Sequence, residues 1–300
     1  MRTLLFPAIV VVGSLLGCRG GIAEDPDLLA PPWAEVIAAV PDPRVIEDPA
    51  IRAELIATGR AWWVRDRATG IELRLVPPGS FERGSETPPA HPEEGPVHEA
   101  RVEAPFYLGV TEVTQAQWRA VMGDHPFEFP GENHPAENIS VPAIEKFLER
   151  TSFELPTEVE WEWVAWRADQ SRSPDRAAES WSQRDEVLGP QPVATRRANA
   201  LGFFDLFGNV WELTRGDWTP HFSSAAERAP VTAADERRRW RGRYYQSFRG
   251  GGWVSAEDDL RVSRRQRYSP GSGFYDTGFR VWRSAQAEPS SQARPRGESR

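Results

Sequence analysis

Within eight residues, Asp205-Leu206-Phe207-Gly208-Asn209-Val210-Trp211-Glu212 sets out a carboxylate, a glycine, an amide and a second carboxylate. Large aromatics flank them, from Phe203 and Phe204 to Trp218, which is the composition of a core. Two carboxylates in a core must be neutralised or coordinated, because an unpaired charge is costly to bury. A hard cation is one solution: calcium accepts carboxylate and backbone carbonyl oxygens together, here Asp205, Glu212 and the carbonyls between them. A surface turn is the other, with both carboxylates solvated and Gly208-Asn209 supplying positive φ. Residue type and spacing leave both open.

Other candidates for chemistry are thinner. His91, His98, His125, His134 and His221 are scattered. His91 and His98 have no third ligand near them and read as solvated, so no histidine metal site is legible. Glu158, Glu160 and Glu162 invite an acid–base reading, but capping and dipole roles at a helix start account for two of them. Cys18 is the only cysteine, so no internal disulfide can form. It closes Leu15-Leu16-Gly17-Cys18 after an apolar run from Leu4, too short to span a bilayer comfortably. That ending resembles the bacterial lipoprotein cleavage box, in which the cysteine is diacylated and becomes the mature N-terminus. Arg19, standing where an Asp would retain a lipoprotein, resembles those sent to an outer membrane. A net charge of -8 argues against a nucleic-acid binder. The cluster Arg237-Arg238-Arg239 with Arg241 and Arg243 reads as a solvated face, or as a dock for an acidic partner or lipid headgroups.

The elements that must position these groups follow from pattern. Residues 19–47 are rich in Pro, Asp and Ala and read as a tether. Asp48-Pro49 opens a short helix that Gly59 closes. Trp62-Trp63-Val64 and Ile71 to Val76 flank Ala68-Thr69-Gly70 as a hairpin. Ser85 to Pro96 reads as a polar loop without core positions, and Val97 to Val110 as a strand with Phe106, Leu108 and Val110 on one face. Thr114 with Gln117, and Thr157 with Glu160, are capping boxes for helices that bury Trp118 and Trp161. Ser140 is expected to cap a helix burying Ile144, Phe147 and Leu148. Arg172 to Asp185 lacks pattern, and 284–300 carries almost no apolar residue, as expected of a disordered tail.

The stretch Gly202 to Leu213 resembles the Gly-Asn-Val-Trp-Glu-Trp signature of the formylglycine-generating (sulfatase-modifying factor) family. Further family-like passages occur in the right order: Leu75 to Phe81, Val110 to Trp118, Glu154 to Trp163, Arg249 to Trp253, and Gly278-Phe279-Arg280. Each is weak alone; the ordered set, from about Gly70 to Arg283, is specific. It implies one α+β domain over residues 48–283, with the formylglycine-generating-enzyme fold, a C-type-lectin-like variant low in regular secondary structure.

The family's enzymes oxidise a sulfatase cysteine with copper(I) and oxygen, through two thiolates just after a glycine turn. The matching segment here is Gly250-Gly251-Gly252-Trp253-Val254-Ser255-Ala256-Glu257-Asp258-Asp259-Leu260, with Ser255 and Leu260 at the thiol positions. Copper(I) selects soft thiolates, so no copper is expected. The resemblance further implies one structural calcium, held by the side chains of Asp205 and Glu212 and the backbone oxygens of Gly208 and Val210. A second family calcium site has no counterpart ligands in the shortened stretch Leu188 to Val193. The iron-dependent sulfoxide synthases resemble the chain less, since no histidine precedes Gly70. The expectation is therefore a lipid-anchored, non-oxidising binding or scaffold protein of the bacterial envelope, facing the periplasm or exterior, with an envelope protein or peptide as ligand. Trp211, Gly252, Trp253, Ser255, Glu257 and Arg264 would line its cleft. The alternative is an enzyme of the same superfamily, resembling siderophore-maturation proteins or another metal-dependent oxidoreductase.

Overall fold

The hairpin marked by Ala68-Thr69-Gly70 lies inside the larger of two principal sheets in the computed structural model, which describes residues 29–222, 231–232, 245–269, 271 and 273–286. In chain order the strands are Ala34–Ala38 (β1), Trp63–Asp66 (β2), Glu72–Val76 (β3), Gly79–Arg83 (β4), His98–Val102 (β5) and Phe106–Gly109 (β6). They continue with Trp211–Asp217 (β7), Val231–Thr232 (β8), Gln246–Arg249 (β9), Arg265–Tyr268 (β10), Thr277–Gly278 (β11) and Trp282–Ser284 (β12). The helices are Pro49–Ala57 (α1), Gln115–Met122 (α2), Val141–Thr151 (α3), Glu158–Ser171 (α4) and Arg176–Glu179 (α5). A five-stranded sheet runs β1-β2-β3-β6-β12, a four-stranded sheet β10-β9-β7-β11, and a small third one β4-β5-β8. Short strands with long connections give the α+β architecture low in regular structure that the sequence implies.

The caps behave as their chemistry requires. Asp48 accepts from the Ala50 amide at the start of α1, and Thr114–Gln117 and Thr157–Glu160 form reciprocal capping boxes on α2 and α4. Ser140 sits at the N-cap of α3 but its side chain makes no capping bond. Trp118 of α2 stacks on Phe147 of α3 at 5.5 Å, and Phe279 closes the cluster edge-on to both rings.

Several expectations need correction. Within the stretch expected to be a tether, β1 pairs antiparallel with β2, and Trp33 meets Tyr107 edge-on at 5.6 Å. Alternation inside Ala-Glu-Val-Ile-Ala was outweighed by the prolines around it. Val97 to Val110 is two strands in two sheets, because Pro105 lies where the chain turns from β5 into β6. Ser85 to Pro96 does contain a core position: Glu94 is fully buried and bonded to Arg261 and Ser263. His98 is half-buried against Phe222, and burial lowers its pKa. Arg172 to Asp185 folds around α5 through ion pairs of Glu179 with Arg172 and of Asp169 with Arg176. At the other end Ser284 belongs to β12 and Ala285 is buried, past the boundary expected at Arg283. Cys18 and the Arg237 to Arg243 cluster lie outside the described residues.

Helix α4 is the hub, and it is buried nearly all round, carboxylates included. Glu158 and Glu162 meet Arg83 at the end of β4, Arg249 at the end of β9 and Arg265 at the start of β10, with separations of 2.7–3.4 Å. These two side chains are therefore neither acid–base catalysts nor merely dipole partners. They knit one helix to three strands.

Candidate functional site

The segment 205–212 is folded by backbone that only certain residues adopt. Gly208 has φ 76°, and a Cβ there would lie 2.1 Å from the Trp181 carbonyl, so no side chain fits. Asp205 and Asn209 take the left-handed region at φ 52° and 55°, which their short polar side chains tolerate. The surface-turn reading fails, because Asp205, Asn209 and Glu212 are all buried.

The two carboxylates have different surroundings. Glu212 is met by the guanidinium of Arg280 at two points, Nε to Oε2 at 2.6 Å and Nη2 to Oε1, and the Trp161 indole adds a bond of 2.9 Å. Its Oε2 and Oε1 are thus both satisfied by protein. Among the described residues Asp205 accepts only the Ala194 amide, on Oδ2 at 2.7 Å, while its buried Oδ1 has no partner. Burial pushes the Asp205 carboxyl up to about 6. A third carboxylate is drawn in that the sequence reading passed over. Glu112, just before α2, is buried with neither carboxylate oxygen hydrogen-bonded. Burial first, then Asp205 and Glu212, push its pKa up. Its signal was available: it is the only charge between Leu108 and Trp118. Arg280 stands in Gly278-Phe279-Arg280, where its sequence neighbours give no sign of its partner.

The stretch Leu188 to Val193 is pinned by protein groups. The Gln191 amide donates to Asn209 Oδ1 at 2.8 Å and the Val193 amide to the Asn133 carbonyl at 2.9 Å. Segment 205–212 in turn braces the glycine turn: the Gly208 amide donates to Gly250, the Trp253 amide to Asn209, and the Trp211 amide to Asp276, at 2.7–3.0 Å.

Of the expected cleft residues, Trp211, Gly252 and Ser255 come together. A Cβ on Gly252 would lie 3.2 Å from Trp211 Cδ1, and the Gly252 amide donates to Ser255 Oγ at 2.9 Å. Ser255 and Leu260 both approach Gly251, where a Cβ would lie 3.5 Å from Ser255 Oγ and 2.6 Å from Leu260 Cδ2. Arg264 is near Trp211, 5.9 Å from its ring, but is tied to Asp259 at 2.6 Å and to Glu93 at 3.3 Å. Glu257 is not brought in: it lies exposed and pairs with Arg184. Trp253 lies between Phe129 at 5.6 Å and Tyr275 at 5.9 Å, and its indole nitrogen is buried without a partner. Phe129 and Tyr275 come from connections without strand or helix pattern, so sequence could not place them there. The Phe129 amide is held by Glu137, whose carboxyl burial pushes up to about 7.

Comparison with known proteins finds relatives in sequence and in fold. The profile of the sulfatase-modifying factor enzyme 1-like domain matches residues 64–285. "Chaperone protein LppX" of Paenibacillus barcinonensis is 28% identical over 241 residues, covering 60% of this chain and 80% of the relative. The formylglycine-generating enzyme of Mycobacterium tuberculosis is 29% identical over 184 residues, covering 53% of this chain and 60% of that enzyme, less than two thirds of its length. Among solved structures, PvdO from Pseudomonas aeruginosa superposes with a TM-score of 0.62 at 21% identity, covering 74% of this chain and 97% of that one, a likeness of fold.

Proposed function

The chain belongs to the sulfatase-modifying factor enzyme 1-like family, and from that premise we propose that it binds an extended peptide or protein segment without oxidising it. The observation that carries this reading is what occupies the thiol positions. Ser255 spends its hydroxyl on the Gly252 amide, and Leu260 is a core residue, 2% exposed. Neither can hold copper(I), which requires soft ligands. Beside that turn the proposed recognition surface is placed at Trp253, whose ring lies between Phe129 and Tyr275. The name chaperone on the LppX relative is in keeping with a binding role. A fluorescently labelled, cysteine-containing peptide of the sulfatase type should bind, read by anisotropy. Trp253→Ala should weaken it by about 2 kcal/mol, the loss typical of a truncated aromatic anchor. Equal binding by the variant would remove the surface from consideration.

Calcium is part of the same proposal, as a structural ion at Asp205, Gly208 and Val210; Glu212, expected as a fourth ligand, has both oxygens bonded to Arg280 and Trp161 instead. The unpartnered Oδ1 of Asp205 is a hard oxygen donor that fits it. When bound, the ion supplies positive charge to a buried acidic site and fixes the loop that braces the glycine turn.

The membrane reading rests on sequence. Among the described residues no helix is long and apolar enough to cross a membrane. Attachment to the envelope is proposed through a lipid on Cys18, facing the periplasm or exterior. Cys18→Ser should shift the protein from the membrane fraction to the soluble one, or leave the precursor unprocessed. Unchanged partitioning in a fractionation blot would refute the anchor.

A further inference from the structure

We propose that Glu112 is a calcium ligand, completing with Asp205 the site that the 205–212 motif only half specifies. The inference rests on the calcium reading above and assigns a residue distant in sequence to it. The first argument is a count of charge. Among the described residues, three buried carboxylates, Glu112, Asp205 and Glu212, share one buried guanidinium, Arg280. Arg196 also acts on Asp205, but it is paired with Asp185 and stacked on Trp181. Arg280 closes on Glu212 alone. Its remaining bonds go to the carbonyls of Gly109 and Phe204, at 3.0 Å each, beside the two other acids rather than to them. Glu112 and Asp205 are left with no guanidinium bonded to either among the described residues, and a divalent cation would hold both in their ionised form.

The second argument is the unpartnered atoms. Glu112 and Asp205 are each 1% exposed, yet among the described residues both oxygens of Glu112 and Oδ1 of Asp205 have no hydrogen-bond partner. Native proteins rarely leave buried polar atoms so, and an ion absent from a protein-only structure is a standard reason. Two backbone bonds bring the segments of the two acids together. The Phe204 amide donates to the Val110 carbonyl at 3.0 Å and the Val113 amide to the Phe279 carbonyl at 2.9 Å, so residues 110–113 lie against both Asp205's strand of chain and Arg280's. Calcium accepts carboxylates in one- or two-oxygen fashion, and Glu112 offers both oxygens. Glu212, occupied by Arg280 and Trp161, then acts through its position more than its charge.

The test uses terbium, a luminescent calcium substitute, with calcium as competitor. Trp161, hydrogen-bonded to Glu212, is placed to sensitise it. Wild-type protein should show tryptophan-sensitised luminescence that calcium displaces, and calcium should raise its melting temperature. Glu112→Gln, of nearly the same shape, should weaken terbium and calcium by at least tenfold. In chelator, Glu112→Gln and Glu112→Met should melt no lower than wild type, since they remove an unpartnered buried carboxylate. Wild-type binding with full affinity retained in Glu112→Gln would overturn Glu112 while leaving the calcium reading intact. No binding by wild type would overturn both. Failure of both variants to fold in chelator would show that Glu112 supports the fold without an ion, and would also overturn the assignment.

Discussion

Glu158→Ala should cost about 3–5 kcal/mol of stability, the range for removing one partner from a buried ion cluster. Against a total of about 5–15 kcal/mol for an ordinary domain, that loss leaves many molecules unfolded. The reason is where the guanidiniums go. Arg83, Arg249 and Arg265 all contact Glu158, all three are fully buried, and water cannot replace the lost carboxylate. Ser247 loses its partner as well. Glu99→Ala is the contrast: its pair with Arg101 is 53% and 52% exposed, and such pairs contribute about 0–1 kcal/mol. Urea midpoints of the two variants measure the difference; a Glu158→Ala loss as small as that of Glu99→Ala would show that the cluster is not holding α4. The acid side gives a second reading. Burial alone would raise the Glu158 pKa, but Arg265, Arg83 and Arg249 outweigh it and hold the carboxyl far below its usual range. The unfolded chain therefore takes up a proton near pH 4 that the folded chain refuses, so this stabilisation is present at neutral pH and lost as pH falls below about 4.5. Glu158→Ala should flatten that part of the acid unfolding curve.

The cluster also shows which parts of the molecule could be read from sequence. Capping boxes were legible because cap and partner are three residues apart, and so was the β2–β3 hairpin, whose turn lies between its strands. The family passages fixed the fold because each is local. Long-range pairings were not legible. Nothing in Glu158-Val159-Glu160-Trp161-Glu162 tells that two of the acids face arginines near 83, 249 and 265, while the third caps its own helix. The same holds at the candidate site. Asp205 and Glu212 look equivalent in the motif, yet Arg280 closes on one and leaves the other, and Glu112 enters from almost a hundred residues away. Glu257, read as part of the cleft from its closeness to Ser255 in sequence, turns outward to Arg184 because its short helical turn, Glu257–Asp259, presents it to solvent.

Incubated with a sulfatase-type cysteine peptide, copper and oxygen, the protein should yield no more aldehyde than a control without protein. The expectation rests on donor chemistry at a defined place. Oxidation of this kind, as the family resemblance describes it, begins with copper(I) held by two thiolates that also present it to oxygen. Here the nearest side chains to that place are Ser255 and Leu260, which meet around Gly251 under the glycine turn. A serine hydroxyl is undissociated at neutral pH and too hard for copper(I), and its lone pairs already receive the Gly252 amide. Leucine offers no donor at all. The only thiol in the sequence is Cys18, remote in sequence and committed to the lipid in the reading given above. Peptide binding and peptide oxidation are therefore expected to separate: the labelled peptide should bind at the Trp253 surface and be recovered with its cysteine intact, by mass spectrometry of the same sample. Aldehyde above the control would mean that another group in this fold activates oxygen, and would overturn the non-oxidising reading whatever the anisotropy showed. Intact peptide together with Trp253-dependent binding is the result that assigns this chain to recognition, with Ser255 closing the glycine turn through the Gly252 amide and Trp253 packed against Phe129 beside it.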